Sequence, residues 1–477
     1  MTQTEHLQWS EFKDFSGGYW SGRTGPVGIP STGAQLMTDC MPGTAGGLIA
    51  APIAVLRALP ALPVSSPIRR LHVTRGSALA DYRYLYAATV SGAIYVIRPE
   101  GDSSWTLIHS SPGSWDTHFA TYMVDDITYT VFACNGGSAP GLWFYNGSTV
   151  TQDLSNGAQA PAFYGPLAEH QGRLFGTTSW GHPETRLIWT DPNGSTWNTN
   201  NWLSMGPSVD AQIRSLIVRA PDDMIIATRN RWYLLQGDVA NPLLRTMNWE
   251  AHTAQGVGPA VWDEGIAYMA AAGIYMTDMG SRHELISKQV ALPTTPANGN
   301  LEYVNGLLFV PGGLCYDTVS GAWFRSSALG LQGNAKAHSA YVDVDTLFAA
   351  GPGSSGNIVT EFYITRPGWW AQSFSWQSPP LFAPGGRQVE IREVQVEFSS
   401  GHVGSLTVGV GSGPGSGPGT TSSPVMPGES RVHRFTFRVH GPYLTVNLDY
   451  SVDSAQQNTP PTVSAVRVGW RPLHRLP

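Results

Sequence analysis

The sequence predicts an all-β protein in which a β-propeller of about seven blades is followed by a small C-terminal β-sandwich. The chain contains 54 Gly and 35 Pro among its 477 residues. It has no long segment with helical periodicity, which is typical of short strands joined by many turns. A pair of apolar segments around a Gly-containing turn recurs seven times between residues 67 and 376. Beyond that region, longer segments of strict apolar and polar alternation indicate half-buried antiparallel strands.

The recurring unit is a β-hairpin. In its clearest copy, the apolar segments 84–90 and 93–97 are separated by two residues, as a tight hairpin turn requires. The other predicted hairpins lie at 129–145, 173–190, 224–235, 266–276, 307–317 and 346–363.

The spacing of these hairpins favours a propeller. Their first strands are centred 45, 44, 51, 42, 41 and 39 residues apart, at Tyr86, Val131, Phe175, Ile226, Tyr268, Phe309 and Phe348. This interval fits a four-stranded blade, with room for an inner strand such as 69–73 and an outer strand such as 105–109. A long sandwich or barrel would show similar alternation but has less reason to keep one period through seven units.

The length of the chain indicates two or more folded units, because it exceeds what one hydrophobic core usually supports. We predict a propeller over residues 67–376 and a sandwich of at least five strands over residues 377–477. The strand at 388–398 is the clearest of these, and the Gly, Ser and Pro residues of 411–424 indicate a flexible loop.

Residues 1–66 lack the hairpin repeat and are predicted to form an N-terminal arm. The segment is rich in Gly, Pro, Ser and Thr but also contains Trp9, Phe15, Tyr19 and Trp20. Because large aromatic side chains are costly to leave in water, we expect these four to anchor the arm on the propeller or on a neighbouring subunit.

The charge of the chain argues against a protein that grips nucleic acid by neutralising phosphates. The net charge is −6, and the only lysines are Lys13, Lys288 and Lys336. Charged residues make up only 13% of the chain, so we expect much of the surface to contact other subunits. The sequence has no signal-peptide pattern and no apolar segment of membrane-spanning length, which predicts synthesis in the cytosol.

No metal or cofactor site is predicted. Cys40, Cys134 and Cys315 are far apart and contain no CxxC pattern, so we expect buried apolar thiols and no disulfide framework or zinc site. The thirteen histidines show no HisExxHis or HisxHis pattern. The AspValAsp sequence at 343–345 offers too few oxygen ligands for a calcium loop.

The sequence also contains no catalytic constellation, and we predict that the protein is not an enzyme. ThrAspProAsnGlySerThrTrp at 190–197 is similar to a sialidase Asp box, but its Asp stands three residues before the Gly and the motif occurs once. We therefore expect a turn followed by a packed Trp. The carboxylate pairs Asp125–Asp126, Asp222–Asp223 and Asp343–Asp345 are predicted to lie in turns or edge strands.

Trp369 and Trp370 are the candidate contact residues for a glycan or a protein partner. They follow ArgProGly at 366–368. Adjacent indoles there could form a sugar-stacking platform or pack between the strands of a blade.

The N-terminal segment resembles the opening of a family of tailed-phage virion proteins. The resemblance rests on AspPheSerGlyGlyTyrTrp at 14–20, IlePro at 29–30 and AspCysMetProGlyThrAlaGlyGlyLeu at 39–48. Motifs in the propeller follow the same family's order. They are a predicted blade segment at 225–237, a Gly-rich segment at 255–259, a hairpin containing GlyIleTyr at 264–276 and a segment containing LeuIleSer at 284–290.

A propeller followed by a terminal sandwich is similar to the tail nozzle, or packaged-DNA stabilisation, proteins of short-tailed phages. The resemblance implies a homohexameric ring in the virion tail, bound to a tail adaptor, which retains packaged double-stranded DNA and gates its ejection without reading its sequence. It implies no membrane insertion of the protein's own.

Two other functions stay open. The chain could be a host-surface protein that binds glycans through its propeller face or sandwich, or a minor tail or baseplate propeller of a long-tailed phage. A propeller hydrolase would need one of the carboxylate pairs to be catalytic, and we expect no such activity.

Overall fold

The computed structural model describes residues 7–20, 33–43, 47–75, 83–136, 138, 141–152, 165–178, 185–206, 209–239, 242–249, 258–262, 265–278, 283–292, 301–310, 312–326, 339–343, 345–353, 356–364, 373–383, 387–399, 404–411, 420–422, 432–452 and 462–473. These ranges contain strands, turns and short 3₁₀ helices at Val209–Ala211 and Ile286–Gln289, and no α-helix. None of the helices in these ranges is long and apolar enough to cross a membrane.

Seven strands precede the first blade in the chain. They are β1 (Gln8–Phe12), β2 (Gly18–Tyr19), β3 (Gly33–Ala34), β4 (Leu36–Thr38), β5 (Cys40–Pro42), β6 (Leu48–Ala50) and β7 (Ile53–Ala58).

The next strands form blades 1 to 4, each given from its inner to its outer strand. Blade 1 is β8 (Ile68–Arg75), β9 (Arg83–Thr89), β10 (Ala93–Ile97) and β11 (Thr106–Ser110); blade 2 is β12 (Ser114–Val124), β13 (Ile127–Gly136), β14 (Gly141–Tyr145) and β15 (Val150–Gln152); blade 3 is β16 (Ala168–His170), β17 (Arg173–Thr178), β18 (Arg186–Thr190) and β19 (Trp197–Ser204); blade 4 is β20 (Ile213–Ala220), β21 (Asp223–Thr228), β22 (Trp232–Gln236) and β23 (Leu243–Met247).

Three further blades complete the propeller. Blade 5 is β24 (Ala260–Trp262), β25 (Gly265–Ala270), β26 (Gly273–Thr277) and β27 (His283–Leu285); blade 6 is β28 (Glu302–Val304), β29 (Leu307–Val310), β30 (Leu314–Asp317) and β31 (Ala322–Arg325); blade 7 is β32 (Ser339–Asp343), β33 (Thr346–Gly353), β34 (Gly356–Ile364) and, as its outer strand, β7.

The blades close into a ring. Each inner strand lies beside the inner strand of the next blade, and β32 of blade 7 lies beside β8 of blade 1. The N-terminal strand β7 pairs antiparallel with β34, from Thr360↔Ala58 to Ile364↔Ile53, so a segment from the start of the chain completes the last blade. The predicted fold class is confirmed, and all seven predicted hairpins are the second and third strands of a blade.

The turn between β12 and β13 shows how two residues set the geometry of a hairpin. Asp125 and Asp126 form the two-residue connection between β12 and β13, with φ of 49° and 61°. A left-handed conformation at both positions is the type I′ turn, which matches the twist of the paired strands. The carboxylates of this predicted pair therefore lie in a turn, as expected from the sequence.

Apolar layers between neighbouring blades hold the ring together. Between blades 7 and 1, Phe348 and Val359 are buried together with Leu85 and Tyr95. Between blades 4 and 5, the rings of Trp232 and Tyr268 lie 4.7 Å apart. Such buried side chains each remove a large apolar area from water, which stabilises the contact between blades.

The C-terminal strands form a two-sheet sandwich. They are β35 (Ser373–Gln377), β36 (Leu381–Phe382), β37 (Val389–Phe398), β38 (Gly404–Gly411), β39 (Thr420–Ser422), β40 (Val432–Gly441), β41 (Tyr443–Val452) and β42 (Thr462–Pro472). One sheet has the order β40-β37-β42-β6-β5, and β1 also pairs with β42; the other contains β4-β35-β41-β38-β39, with β36 on β41.

The segment predicted as an arm contributes strands to both units. β1, β5 and β6 belong to the first sheet of the sandwich, whereas β7 belongs to blade 7. β4 lies between the units, because it pairs with β35 of the sandwich and with β31 of blade 6. One ten-stranded sheet consequently runs from blade 6 into the sandwich.

Candidate functional site

The inner strands of the propeller surround a central channel, which contains a cavity of ≈ 290 Å³. Because the inner strand of each blade runs beside the axis, the lining comes from several blades. Polar and aromatic side chains in the lining include Arg70, His72, His118, Phe119, Arg214 and Tyr341. We take this channel as the candidate site, since ligand sites in folded proteins are concave and carry a few converging polar groups.

An ion pair crosses the channel wall between blades 1 and 2. Arg70 on β8 donates from Nε and Nη2 to the two carboxylate oxygens of Asp116 on β12, at 3.2 and 3.4 Å. The Nε2 of His118 lies 3.1 Å from Asp116 Oδ2, and the backbone N–H of Thr117 donates to Oδ1 at 2.8 Å. Both oxygens of this half-buried carboxylate therefore have a partner.

These contacts determine the protonation states of Asp116 and His118. Burial alone would raise the pKa of Asp116, but the guanidinium of Arg70 holds that pKa well below its usual range. Burial lowers the pKa of His118 despite the neighbouring carboxylate. Asp116 is consequently ionised and His118 neutral near pH 7, so Asp116 is not poised to take up a proton.

Next to this pair, aromatic rings from three blades form a layer. The imidazole of His72 is parallel to the ring of Phe119, with centroids 5.5 Å apart and an interplanar angle of 4°. Tyr341 of blade 7 meets the same imidazole edge-on at 5.3 Å. The His72 Nε2 lies 3.2 Å from the hydroxyl of Thr121. Burial lowers the pKa of His72 to about 3, so the ring is neutral near pH 7.

The size and chemistry of the channel limit what it can do. Its cavity of ≈ 290 Å³ is at the lower end of the range for small-molecule pockets, about 300–1,000 Å³. It is far too small for the passage of a polymer such as duplex DNA. Among the described lining residues, His118 contacts the Asp116 carboxylate, whereas His72 contacts the Thr121 hydroxyl. The hydroxyl and the carboxylate of a serine-hydrolase arrangement are therefore not joined through one imidazole there.

A second buried network joins blade 7 to blade 1 where the ring closes. The fully buried carboxylate of Glu361 on β34 accepts from Arg57 Nε on β7 at 2.6 Å and from Arg83 Nη2 on β9 at 2.7 Å. Arg83 also donates to Glu100 and, at 3.3 Å, to Asp343. Burial alone would lower the pKa of Arg83, but Glu100 and Glu361 raise it above its usual value.

Sequence reasoning did not find this network. The available signal was a charged residue inside an apolar strand, since Arg57 stands within IleAlaValLeuArgAla and Glu361 within IleValThrGluPheTyr. A charge at such a position is costly unless it is paired. The partner of each, some 300 residues away, could be identified only from the fold.

The predicted anchors of the arm lie in different environments. Phe15 and Tyr19 are buried, Trp20 is half-buried, and Trp9 is 47% exposed. The ring of Phe15 meets Trp376 edge-on at 5.4 Å, and the guanidinium of Arg325 lies 5.0 Å from the ring centroid of Tyr19. These contacts connect the segment to the sandwich and to blade 6.

A glycine allows the segment to approach blade 6 closely. Gly18 has φ of 61°, and a Cβ at this position would lie 2.8 Å from the backbone nitrogen of Trp323. Both the left-handed backbone and the close approach require a residue without a side chain.

The other predicted site residues are placed as follows. Trp369 and Trp370 lie outside the described residues. The Asp-box-like segment forms a turn in which Gly194 N–H donates to the Asp191 carbonyl at 3.2 Å, and Trp197 is buried after it. Asp223 accepts a side-chain hydrogen bond from Gln236, and Asp343 pairs with Arg83.

The three cysteines are buried free thiols, and burial raises the pKa of each above its ordinary value. Across the described ranges, no group of three or more His, Cys, Asp or Glu side chains is arranged to hold a metal ion.

Comparison with known proteins does not assign a family. No protein-family profile matches the chain, and no curated protein matches it.

Solved structures with some likeness to the chain include YCF48 bound to a D1 peptide, with 13% identity, 67% of this chain and 100% of that chain covered, and a TM-score of 0.41. BamB from Moraxella catarrhalis has 11% identity, coverage of 65% and 100%, and a TM-score of 0.39. The extracellular domain of BT4673 from B. thetaiotaomicron has 8% identity, coverage of 83% and 57%, and a TM-score of 0.43. At this level of likeness no argument about function rests on these proteins, and the propeller assignment rests on the strand pairing given above.

Proposed function

We propose that this chain is a structural protein of a bacteriophage tail, a subunit of the distal nozzle ring that retains packaged DNA and gates its ejection. The proposal combines the sequence resemblance described above with the architecture of the molecule. In this account the protein associates with further copies of itself, six in the resembling family, and with a tail adaptor.

The observation that carries the proposal is the continuous sheet between the propeller and the sandwich. β4 pairs with Arg325 of blade 6 through Thr38 and with β35 through residues 36–38. The Asp39 N–H also donates to the Arg325 carbonyl at 2.7 Å. A subunit that resists the pressure of packaged DNA needs units that do not hinge, and shared backbone hydrogen bonds resist hinge motion more than a flexible linker does.

The small cavity on the propeller axis supports a conduit between subunits. Because the cavity of ≈ 290 Å³ cannot admit a duplex, DNA would have to pass through a channel enclosed by several copies. The net charge of −6 suits the wall of such a conduit, since an acidic surface repels phosphate and lets DNA slide.

The location of the protein in virions tests the proposal. Gold-labelled antibodies raised against the chain should bind at the distal end of the tail, and virions whose DNA has been ejected should keep the label. Label confined to side fibres, or absence of the protein from purified virions, would contradict the proposal.

A further inference from the structure

The outer edge of blade 3 presents an unusual combination of an exposed indole and an arginine. Trp202 on β19 is 45% exposed. The guanidinium carbon of Arg186 on the neighbouring strand β18 lies 4.6 Å from the centroid of the Trp202 ring. An exposed indole is costly in water, and a guanidinium stacked on it is held in one orientation. The pair is therefore a preorganised surface rather than two independent side chains.

The charge of Arg186 is not neutralised within the described structure. Its side chain forms no ion pair or hydrogen bond with a described residue, and its contact is with the ring of Trp202. This differs from Arg57, Arg70, Arg83 and Arg471, each of which pairs with a carboxylate. In a chain with a net charge of −6, a half-buried guanidinium at the start of β18 that pairs with no carboxylate among the described residues is available to an anionic ligand.

A bulge in β19 precedes Trp202 in the chain and contains exposed polar residues. In the register of β18 and β19, Ile188 pairs with Trp202 and Thr190 with Trp197. The four residues 198–201 of β19 therefore lie opposite the single residue Trp189 of β18, which is a bulge. Asn198 and Asn200 are exposed in this bulge. Bulges of this kind turn side chains away from the regular sheet directions and are frequent next to functional sites.

We propose that Trp202, Arg186 and the bulge at residues 198–201 form a binding site for a carboxylate-bearing saccharide. The guanidinium fork binds a sugar carboxylate in bidentate fashion, as it does a protein carboxylate. The face of the indole not covered by Arg186 packs against the apolar face of the pyranose ring. The Oδ1 of Asn198 accepts from the Asn200 backbone N–H at 2.9 Å, which leaves the Asn198 amino group and the Asn200 side-chain amide to exchange hydrogen bonds with the sugar hydroxyls. The carboxylate of Asp191, at the start of the same turn, is engaged by the amide of Asn201 at 3.2 Å.

Charge complementarity distinguishes this ligand from a neutral glycan. A neutral sugar would use the indole and the amides but would leave Arg186 unpaired, whereas an acidic sugar uses all three. The proposal does not depend on assembly of the chain into a ring, because all the residues belong to one blade of one subunit.

A printed glycan array with matched acidic and neutral oligosaccharides, such as hyaluronan hexasaccharide beside chitohexaose, tests the site with the full-length protein. We expect spots of carboxylated glycan to retain more wild-type protein than spots of the neutral counterparts. Arg186→Gln should weaken that retention by about tenfold or more, since one charge-assisted contact corresponds to at least this factor. Trp202→Ala should weaken it by about tenfold, because it removes the aromatic surface that packs on the sugar and orients Arg186.

Trp9→Ala is the matched control, because Trp9 is similarly exposed, at 47%, but lies on the sandwich over Gly469. It should bind like the wild type, and all three variants should keep the wild-type unfolding temperature within a few degrees. The proposal is overturned if no carboxylated glycan is retained, if Arg186→Gln leaves the preference for acidic glycans unchanged, or if Trp9→Ala weakens retention as much as Trp202→Ala.

Discussion

At the scale of single residues, paired charged side chains specify which strands of neighbouring blades lie together, whereas apolar layers hold the blades in contact. Glu361 is a buried carboxylate and Asp116 a half-buried one, and each pairs with an arginine of another blade or strand. Such pairs add modest net stability compared with apolar packing, but removal of one partner leaves an uncompensated charge in a dry environment. Their main effect is to specify which strands lie together.

Replacement of Glu361 by Gln should destabilise the closure between blades 7 and 1. Among the described residues, the substitution leaves Arg57 and Arg83 with Glu100 and Asp343 as anionic partners. We expect a loss of about 3 kcal/mol in the free energy of unfolding, measured by urea denaturation. Asp126→Asn in the exposed hairpin turn is the control and should change stability by less than about 0.5 kcal/mol. Equal effects of the two substitutions would contradict a special role for the network.

His72 should make the protein sensitive to acid. Burial lowers its pKa to about 3, whereas His in an unfolded chain titrates near about 6.5. The unfolded state therefore binds the proton first, so the stability contributed by neutral His72 is complete above about pH 6.5 and is lost as the pH falls toward 3.

His72→Gln should flatten this dependence. Between pH 6 and 4 the unfolding free energy of the variant should fall less steeply than that of the wild type. The two slopes should differ by up to about 1.4 kcal/mol per pH unit, which corresponds to one bound proton. Its stability at pH 7.5 should be lower, because the stack on Phe119 is lost. His440→Gln, at an exposed histidine of β40, should leave the slope unchanged. Identical slopes for wild type and His72→Gln would contradict the assignment of a buried neutral imidazole.

At the scale of elements, the N-terminal strands decide how the two units are joined. β4 pairs with both units, β7 closes the propeller, and β1, β5 and β6 extend the sandwich. Because these strands come from a segment rich in Gly and Pro, their stability depends on the strands they pair with and on a few buried aromatic rings.

Phe15→Ala tests how much the sandwich depends on this segment. Phe15 is buried against Trp376, and truncation of a buried Phe costs about 3–5 kcal/mol. We expect a marked decrease in the unfolding midpoint and faster proteolysis within the first 50 residues. Trp9→Ala, at the exposed position on β1, should have a much smaller effect; a Phe15→Ala variant as stable as Trp9→Ala would show that the segment is not needed for the sandwich.

The sequence was informative about elements whose pattern is local. The hairpin around Tyr86 and the strand at 388–398 were predicted because alternation and turn residues act over a few positions. Strand β7 was assigned to the arm, since nothing in Ile53–Ala58 indicates that it pairs with residues 360–364. The Arg70–Asp116–His118 group was missed for the same reason, because its members adjoin only after the blades have formed.

At the scale of the whole molecule, the chain joins a ring of seven blades to a sandwich through one continuous sheet and carries a net charge of −6. If the chain is the tail protein proposed above, DNA passes through a conduit enclosed by several copies, and the surface facing the DNA should bind it weakly. The low fraction of charged residues, 13%, is consistent with extensive contacts between subunits.

The purified protein should therefore bind duplex DNA poorly. Proteins with only non-specific contacts have dissociation constants of about 10⁻⁴ to 10⁻⁶ M at physiological salt, and we expect an affinity at or below the weak end of that range. Fluorescence anisotropy with a labelled 30-mer duplex measures it. Tight binding that falls steeply with added salt would indicate a basic DNA-binding surface. It would contradict the proposal that an acidic surface repels phosphate and lets DNA slide.

The most direct test of the central claim is the native mass and electron-microscopy shape of the purified full-length protein, alone and on isolated tails. The account predicts a six-fold ring with an open centre between subunits and a closed axis through each propeller. A stable monomer that never forms rings and is absent from the tail tip would contradict it.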